Sequence, residues 1–331
     1  MKRTVLSCCV IFFVLLMPLV VFSADAEKQV TLKLANYFAE SHPQNVALYK
    51  VFKPMVESGS KGSIKVEIYP NNQLGAEKEF IEQVKLGSVE MVVMGVMLSE
   101  KFPILKVGEF PYLFNNIDTG YKLLNANLDE ISADVLKVDG LRILGITVNG
   151  VRAISNSKRP INTPQDCKGI KLRVPQISYY ITMGKALGFN VVTMAYSEIF
   201  TALQQGVIDG QENPPTTVLV SGWWEAQKYI ALTDHCIAYN YVTINDKFFQ
   251  SLSKKNQDVI RSAVKAYAAE EIKLYKQSMK KDIETLKSKG IQFTTPERKP
   301  FKDLVLAVYP EMLGPDPKTN ALAKKFLDLQ K

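Results

Sequence analysis

Glu198-Ile199-Phe200-Thr201-Ala202-Leu203-Gln204-Gln205-Gly206-Val207-Ile208-Asp209 reads as an amphipathic helix, a glycine stop and a strand that opens on an acid. Glu79-Phe80-Ile81-Glu82-Gln83-Val84-Lys85-Leu86-Gly87-Ser88-Val89-Glu90 lies over it without a gap. The glycines at 87 and 206, like the acids at 90 and 209, stand 119 residues apart. Many α/β units share this helix, glycine and strand grammar, so one reading of the match is simply two ordinary units. The sharper reading is two similar lobes, each turning helix starts and strand ends toward a shared cleft, where open α/β sheets bind ligands.

Outward from the repeat the same alternation continues. Strand patterns run over 30–37, 64–69 and 90–94, with Ile64, Val66 and Ile68 alternating with Lys65 and Glu67 as expected for a sheet with one buried face. Helical patterns occupy 44–57 and 76–86, a further helix lies near 119–137, and a strand follows at 141–148. Strands alternating with helices predict an α/β fold with parallel or mixed sheets. Beyond Ser253 no Gly or Pro occurs until Gly290, and Ile260, Val264, Tyr267, Ile272, Tyr275, Met279, Ile283 and Leu286 recur at mostly helical spacing. One continuous helix there, capped by Ser253, would exceed about 50 Å at roughly 1.5 Å per residue and would span both lobes. The alternative is two helices with an unmarked break.

The 331 residues suit two domains better than one, and 47% hydrophobic with 22% charged residues is ordinary globular composition. The net charge of +8 comes without a long basic run or a basic stripe interleaved with aromatics. That balance favours an acidic small molecule over nucleic acid. Two histidines and four cysteines exclude a His-rich metal centre, and neither a metal nor a cofactor is expected. Lys2 and Arg3, the apolar run 10–22 and the small residues Ser23-Ala24-Asp25-Ala26 form a secretory signal peptide, 1–26, with cleavage expected between Ser23 and Ala26. Cys8 and Cys9 precede the apolar run, so no lipoprotein cysteine follows it. Loss of Lys2, Arg3 and Asp25 would take the net charge from +8 to +7 and leave only Cys167 and Cys236. These two could pair in an oxidising compartment or remain small buried thiols, and sequence alone does not place their Cα atoms.

No Gly-x-Ser-x-Gly elbow, phosphate-binding glycine loop or Cys-x-x-Cys pair occurs in the mature chain. The neighbouring acids Glu77 and Glu79, and Asp209 and Glu212, fit solvated surfaces or caps. Two arginines stand in more informative places. Arg173 closes the strand pattern Ile170-Lys171-Leu172-Arg173-Val174-Pro175, and Arg152 follows Asn149-Gly150 at the start of another expected strand. Asn213, in Gln211-Glu212-Asn213-Pro214, ends a third. A guanidinium offers paired donors that match a carboxylate, and an asparagine amide can add one more. On spacing alone, surface arginines with packed stems would serve as well.

Three segments narrow the choice. Tyr69-Pro70-Asn71-Asn72-Gln73-Leu74-Gly75, Lys168-Gly169-Ile170-Lys171-Leu172-Arg173-Val174-Pro175, and Ala195-Tyr196-Ser197-Glu198 running on to Asn213-Pro214 closely resemble the solute-binding proteins of tripartite ATP-independent periplasmic (TRAP) transporters, in the C4-dicarboxylate-binding branch. The resemblance extends from about Val30 to near the C-terminus. It implies a two-lobe periplasmic binding protein fold with mixed sheets, crossing hinge strands and a long lobe-spanning helix, closing on an organic acid. It places the carboxylate-clamping arginine on Arg173, a second basic ligand on Arg152 and the amide partner on Asn213. A hydroxyl-contacting acid falls on Glu77 and the pocket aromatic on Tyr196. The loop after the first strand brings Tyr37, Phe38 and His42 near the ligand, His42 chiefly to steady that loop. In sialic-acid-binding members a second glutamate lies near the position of Gly95, so sialic acid is not expected here.

The expected protein is therefore not an enzyme. It is a monomeric receptor, free in the periplasm of a Gram-negative type of envelope, that captures a sugar acid or C4-dicarboxylate and delivers it to a TRAP permease, with no nucleic-acid partner. The rivals are a secreted enzyme acting on a carboxylate substrate and a receptor that presents its ligand to a membrane sensor kinase. Lobe I is expected over 27–150 plus about 239–278, and lobe II over 151–238 plus about 279–331. Chain crossings are expected at 149–152 and 239–243.

Overall fold

The computed structural model describes residues 29–330. The signal-peptide reading and its cleavage site, with Cys8 and Cys9, lie outside these residues.

Nine strands form one mixed sheet. In chain order they are β1 Val30–Ala35, β2 Ile64–Tyr69, β3 Met91–Met94, β4 Leu141–Asn156, β5 Lys171–Val174, β6 Asn190–Thr193, β7 Gly210–Asn213, β8 Tyr229–Asn245 and β9 Gln292–Thr294. Their spatial order is β2-β1-β3-β8-β4-β7-β5-β6, with β9 beside β8. Parallel strands make up each flank, β2-β1-β3 on one side and β7-β5-β6 on the other. The long strands β4 and β8 pair antiparallel through the middle and join the flanks. Each half is thus three parallel strands against one long antiparallel strand, so the two halves are similar, as the internal repeat suggested.

The repeat extends to individual contacts. β3 and β7 begin 119 residues apart, at Met91 and Gly210. Before each of them a glutamate folds back on its own helix start: Glu79 Oε2 accepts from the Ala76 amide at 2.8 Å, and Glu198 Oε2 from the Ala195 amide at 2.7 Å. These bonds satisfy amides that a helix start leaves without partners. Gly87 and Gly206 then turn the chain with φ of +80° and +68°, which costs glycine no Cβ clash. Finally the acid that opens each strand accepts the amide of the neighbouring strand, Glu90 from Lys33 at 2.7 Å and Asp209 from Lys171 at 2.9 Å.

The long helix is continuous, Lys254–Ser288, with the Ser253 hydroxyl accepting from the Asn256 amide and Gly290 at φ +89° beyond its end. Ile260, Val264, Tyr267, Ile272, Tyr275 and Leu286 are buried as the spacing required, whereas Met279 and Ile283 are only partly covered. The same helix holds the middle of β4: Glu271 accepts from the Val148 amide at 2.9 Å and the Tyr275 hydroxyl from the Val151 amide at 2.9 Å.

Four details differ from the sequence reading. Arg152 does not start a new strand, because Asn149-Gly150 forms a bulge inside β4, where the register shifts between Val148 and Gly150. Gly150 takes φ +139°, and a Cβ there would enter the Tyr275 ring, so glycine permits both the turn and the helix contact. The helix expected over 44–57 is interrupted by a π turn at Leu48–Phe52, and that near 119–137 divides into Ile117–Ala126 and Leu128–Asp139. The C-terminal helix Pro317–Asp328, expected with lobe II, packs instead against the other side: Phe326 meets Phe114, Lys318 pairs with Asp134, and Lys325 donates to Asn127.

Candidate functional site

A cavity of about 200 Å³ opens where the two halves meet. Arg173 reaches it from the end of β5, Asn213 from the last position of β7, and Asn149 and Arg152 from the β4 bulge. Glu77 and Tyr196 enter from equivalent positions of the repeat, 119 residues apart, each following the alanine whose amide is capped. The two copies of the motif therefore present the same backbone position to the same space.

The two arginines are held in different ways. Arg152 is buried and forms an ion pair: its Nε lies 2.5 Å from Glu212 Oε2, and its Nη2 lies 2.7 Å from both Glu212 Oε1 and the Glu212 carbonyl. Burial works to raise the Glu212 carboxyl, yet Arg152 and the His235 ring, whose Nε2 lies 3.3 Å from Glu212 Oε2, together hold that group below the ordinary carboxylate range. Tyr180 lies under the Arg152 guanidinium at 5.3 Å. Glu212, read from sequence as a surface acid, is completely buried, and its neighbour Asp209 is nearly so. The pairing of β4 with β7 sets Ile154 against Glu212 and brings Arg152 within reach.

Arg173 is only 4% exposed, and its hydrogen bonds run from Nε and Nη2 to the Met194 carbonyl, at 3.1 and 2.7 Å. Among the described residues it has no ion pair. Burial lowers its pKa to about 10, so it stays cationic at neutral pH. A guanidinium has five N–H donors, and these two bonds leave the outer Nη1 and Nη2 edge available to a guest.

Glu77 accepts from the Gly95 amide at 2.8 Å, and burial pushes its carboxyl up to about 8 against the pull of that amide. Tyr37 donates to Asn240 at 3.0 Å and packs on Tyr196 at 4.9 Å between ring centres, a contact between the two halves. Tyr196 shares a hydrogen bond with Ser221 at 2.9 Å and meets Trp223 on its other side. Asn213 donates to Gln211 at 2.7 Å. Phe38 and His42 are not brought to the cavity wall. Phe38 stands behind Tyr37 and stacks on His42, whose Nδ1 accepts from the Gln44 amide to cap the helix Pro43–Ala47. Burial lowers the His42 pKa to about 3, so the ring is neutral.

Among the cavity residues that escaped the sequence reading are Lys78, Gln176, Glu109 and, as a ligand group, Asn149. Glu109 lies beyond the 3-10 turn Pro103–Gly108 and is 4% exposed. The available signal was a lone acid inside the apolar run 102–114. Cys167 and Cys236 are both buried and free, and burial pushes the Cys167 thiol up to about 12. Neither touches the cavity.

Residues 34–315 match the family described as bacterial extracellular solute-binding protein, family 7. The chain belongs to this family. Its members that resemble the chain include a TRAP periplasmic solute-binding protein of Haemophilus influenzae, solved with bound L-gulonate, at 30% identity and TM-score 0.86 over 91% of this chain and 99% of that one. A Roseobacter denitrificans counterpart with bound L-galactonate superposes with TM-score 0.85 at 28% identity, covering 90% and 99% of the two chains. The 2,3-diketo-L-gulonate-binding periplasmic protein of Escherichia coli is 29% identical over 290 residues, 86% of this chain and 87% of its own. The TRAP resemblance and the two-lobe α/β architecture are thereby borne out. The family is one of extracellular receptors, and among the described residues of this member no helix is long and apolar enough to cross a membrane.

Proposed function

We propose that this chain captures an organic acid of the sugar-acid type, with its carboxylate on Arg173, and delivers it to a TRAP membrane permease as a free, monomeric periplasmic receptor. The observation that carries the reading is Arg173 itself, a buried cation in a cavity wall whose described partner is one neutral carbonyl. A buried unpaired charge is costly, and an anionic guest supplies the missing partner. The Nε edge is occupied by Met194, so the carboxylate docks end-on, across Nη1 and Nη2. Asn213 adds an amide donor nearby, and Tyr196 and Tyr37 cover the carbon chain. The sugar acids bound by the two solved relatives favour that ligand type.

A thermal-shift screen tests this, because a ligand that binds only the folded state stabilises it by about 2.7 kcal/mol at a hundred times its Kd. Hexuronates and hexonates are expected to raise Tm, while neutral hexoses leave it unchanged. A screen in which neutral sugars stabilise as well as acids would remove the carboxylate from the account.

Binding should also depend on pH through Glu77. Its folded-state pKa of about 8 lies above that of a free carboxyl, so at pH 7 it holds a proton and leaves Arg173 uncompensated. As pH rises through 8 the proton leaves and a negative charge appears in the anion's pocket. Affinity is expected to fall by up to about tenfold between pH 7 and 9, one decade per unit beyond the pKa. In Glu77→Gln the profile should be flat across that window. Calorimetry at both pH values reads the difference, and equal slopes in the two proteins would exclude Glu77 as its source.

A further inference from the structure

Carboxyl groups gather on the Gly95 side of the cavity. A Cβ placed on Gly95 would lie 3.3 Å from Glu109 Oε1, 3.5 Å from Glu77 Oε1 and 3.5 Å from the Tyr37 hydroxyl, so two carboxyl groups converge on one spot. Glu109 is fixed there from the other half of the molecule. Its Oε2 accepts from the Tyr180 hydroxyl at 2.9 Å, and its carbonyl from the Tyr179 hydroxyl at 3.3 Å. The Asn149 amide hydrogen-bonds Glu109 as well. Asn149 is 3% exposed and lines the cavity, yet its Oδ1 is buried without a hydrogen-bond partner among the described residues. A buried acceptor left unsatisfied is costly, so this part of the wall favours a guest that brings a donor.

The charges point the same way. Arg152 is paired with Glu212, so Arg173 and Lys78 are the cations of the wall that have no ion pair among the described residues. A carboxylate of the guest balances Arg173. A second carboxylate beside Glu109 and Asn149 would lie against an acidic group and an unsatisfied amide oxygen, whereas a hydroxyl can donate to either.

We propose that Glu109, with Asn149 beside it, is the specificity-determining residue of the site, accepting a terminal hydroxyl of the ligand and turning away diacids. The proposal rests on the organic-acid reading above and narrows it to polyhydroxylated monocarboxylates. Tyr180 acts as a positioning residue for Glu109.

Two ligand pairs isolate the effect. L-gulonate and D-glucarate share one carbon skeleton and differ at one terminus, CH2OH against carboxylate; L-galactonate and galactarate form a second such pair. Calorimetry on the wild type should give the better-bound monoacid at least 100-fold tighter than its diacid, with succinate weaker still. Glu109→Gln, which keeps the shape, should weaken the monoacid about tenfold and narrow the ratio at least tenfold. Tyr180→Phe should shift the ratio in the same direction by a smaller factor, and it supplies the test if Glu109→Gln does not fold. Diacid or succinate binding as tight as the monoacid in the wild type, or a ratio in Glu109→Gln within threefold of wild type, would overturn the proposal while leaving the organic-acid reading intact. Failure of every acid to bind would instead sink that reading.

Discussion

Arg173→Ala is expected to weaken binding of the ligand acid by roughly 30-fold to several-thousand-fold. Removing one partner of a buried, hydrogen-bonded charge pair costs about 2–5 kcal/mol, and each 1.4 kcal/mol is about a decade of affinity. The truncated protein should fold, because Arg173 holds no ion pair among the described residues and its loss leaves only the Met194 carbonyl without donors. Arg173→Lys keeps the charge and loses the planar fork, so it too should bind poorly. Calorimetry decides it. A folded Arg173→Ala protein that binds within about threefold of wild type, under 1 kcal/mol, would place the carboxylate clamp elsewhere.

The second large effect is on stability. Glu212→Gln should lower it by about 3–5 kcal/mol, since Arg152 would remain buried without its counter-charge. At about 2–4 °C per kcal/mol for a domain of 150–250 residues, Tm should fall by at least about 6 °C. The wild-type pair has its own pH signature. The Glu212 carboxyl is held below its ordinary range in the fold, so its contribution is present above that range and is lost as pH falls through the depressed value. Thermal melts of the two proteins at neutral pH check the main effect, and a Tm change under about 2 °C would mean that the pair contributes little. Arg152 ties β4 to β7 through this pair, and Arg152→Ala should read out in Tm as much as in affinity.

The fold was legible because its signals are local. The helix, glycine and strand grammar of 79–90 and 198–209 needs no distant partner to be recognised, and the repeat survives down to the amides that Glu79 and Glu198 accept. The helix Lys254–Ser288 was equally plain, since capping and apolar spacing both lie within it. Arg173 and Asn213 could be named because a strand end is itself a position of consequence in an α/β sheet. Resemblance added Glu77 and Tyr196. Their placement at equivalent repeat positions gives a physical reason for both.

What stayed hidden depends on register and on long-range packing. Nothing near Glu212 announces that a strand 60 residues earlier will set a guanidinium against it, so two charged residues of one buried pair read as a surface acid and a free ligand group. Glu109 follows a 3-10 turn with no periodicity to mark which side faces the cavity, and its partners Tyr180 and Asn149 come from distant segments. Phe38 and His42 show the converse: the bend after β1 sends Tyr37 to the cavity, while Phe38 packs behind it against His42, which caps the next helix.

The central claim is that one buried guanidinium holds the ligand's acid group. A crystal structure of the wild-type protein with the hexonate or hexuronate that most raises its Tm tests this most directly. The account predicts the carboxylate within hydrogen-bond distance of Arg173 Nη1 and Nη2, with the Met194 carbonyl still on Nε and the hydroxyl tail toward Glu77 and Glu109. A ligand lying in the reverse direction, its carboxylate on the Gly95 side and a hydroxyl at Arg173, would contradict it.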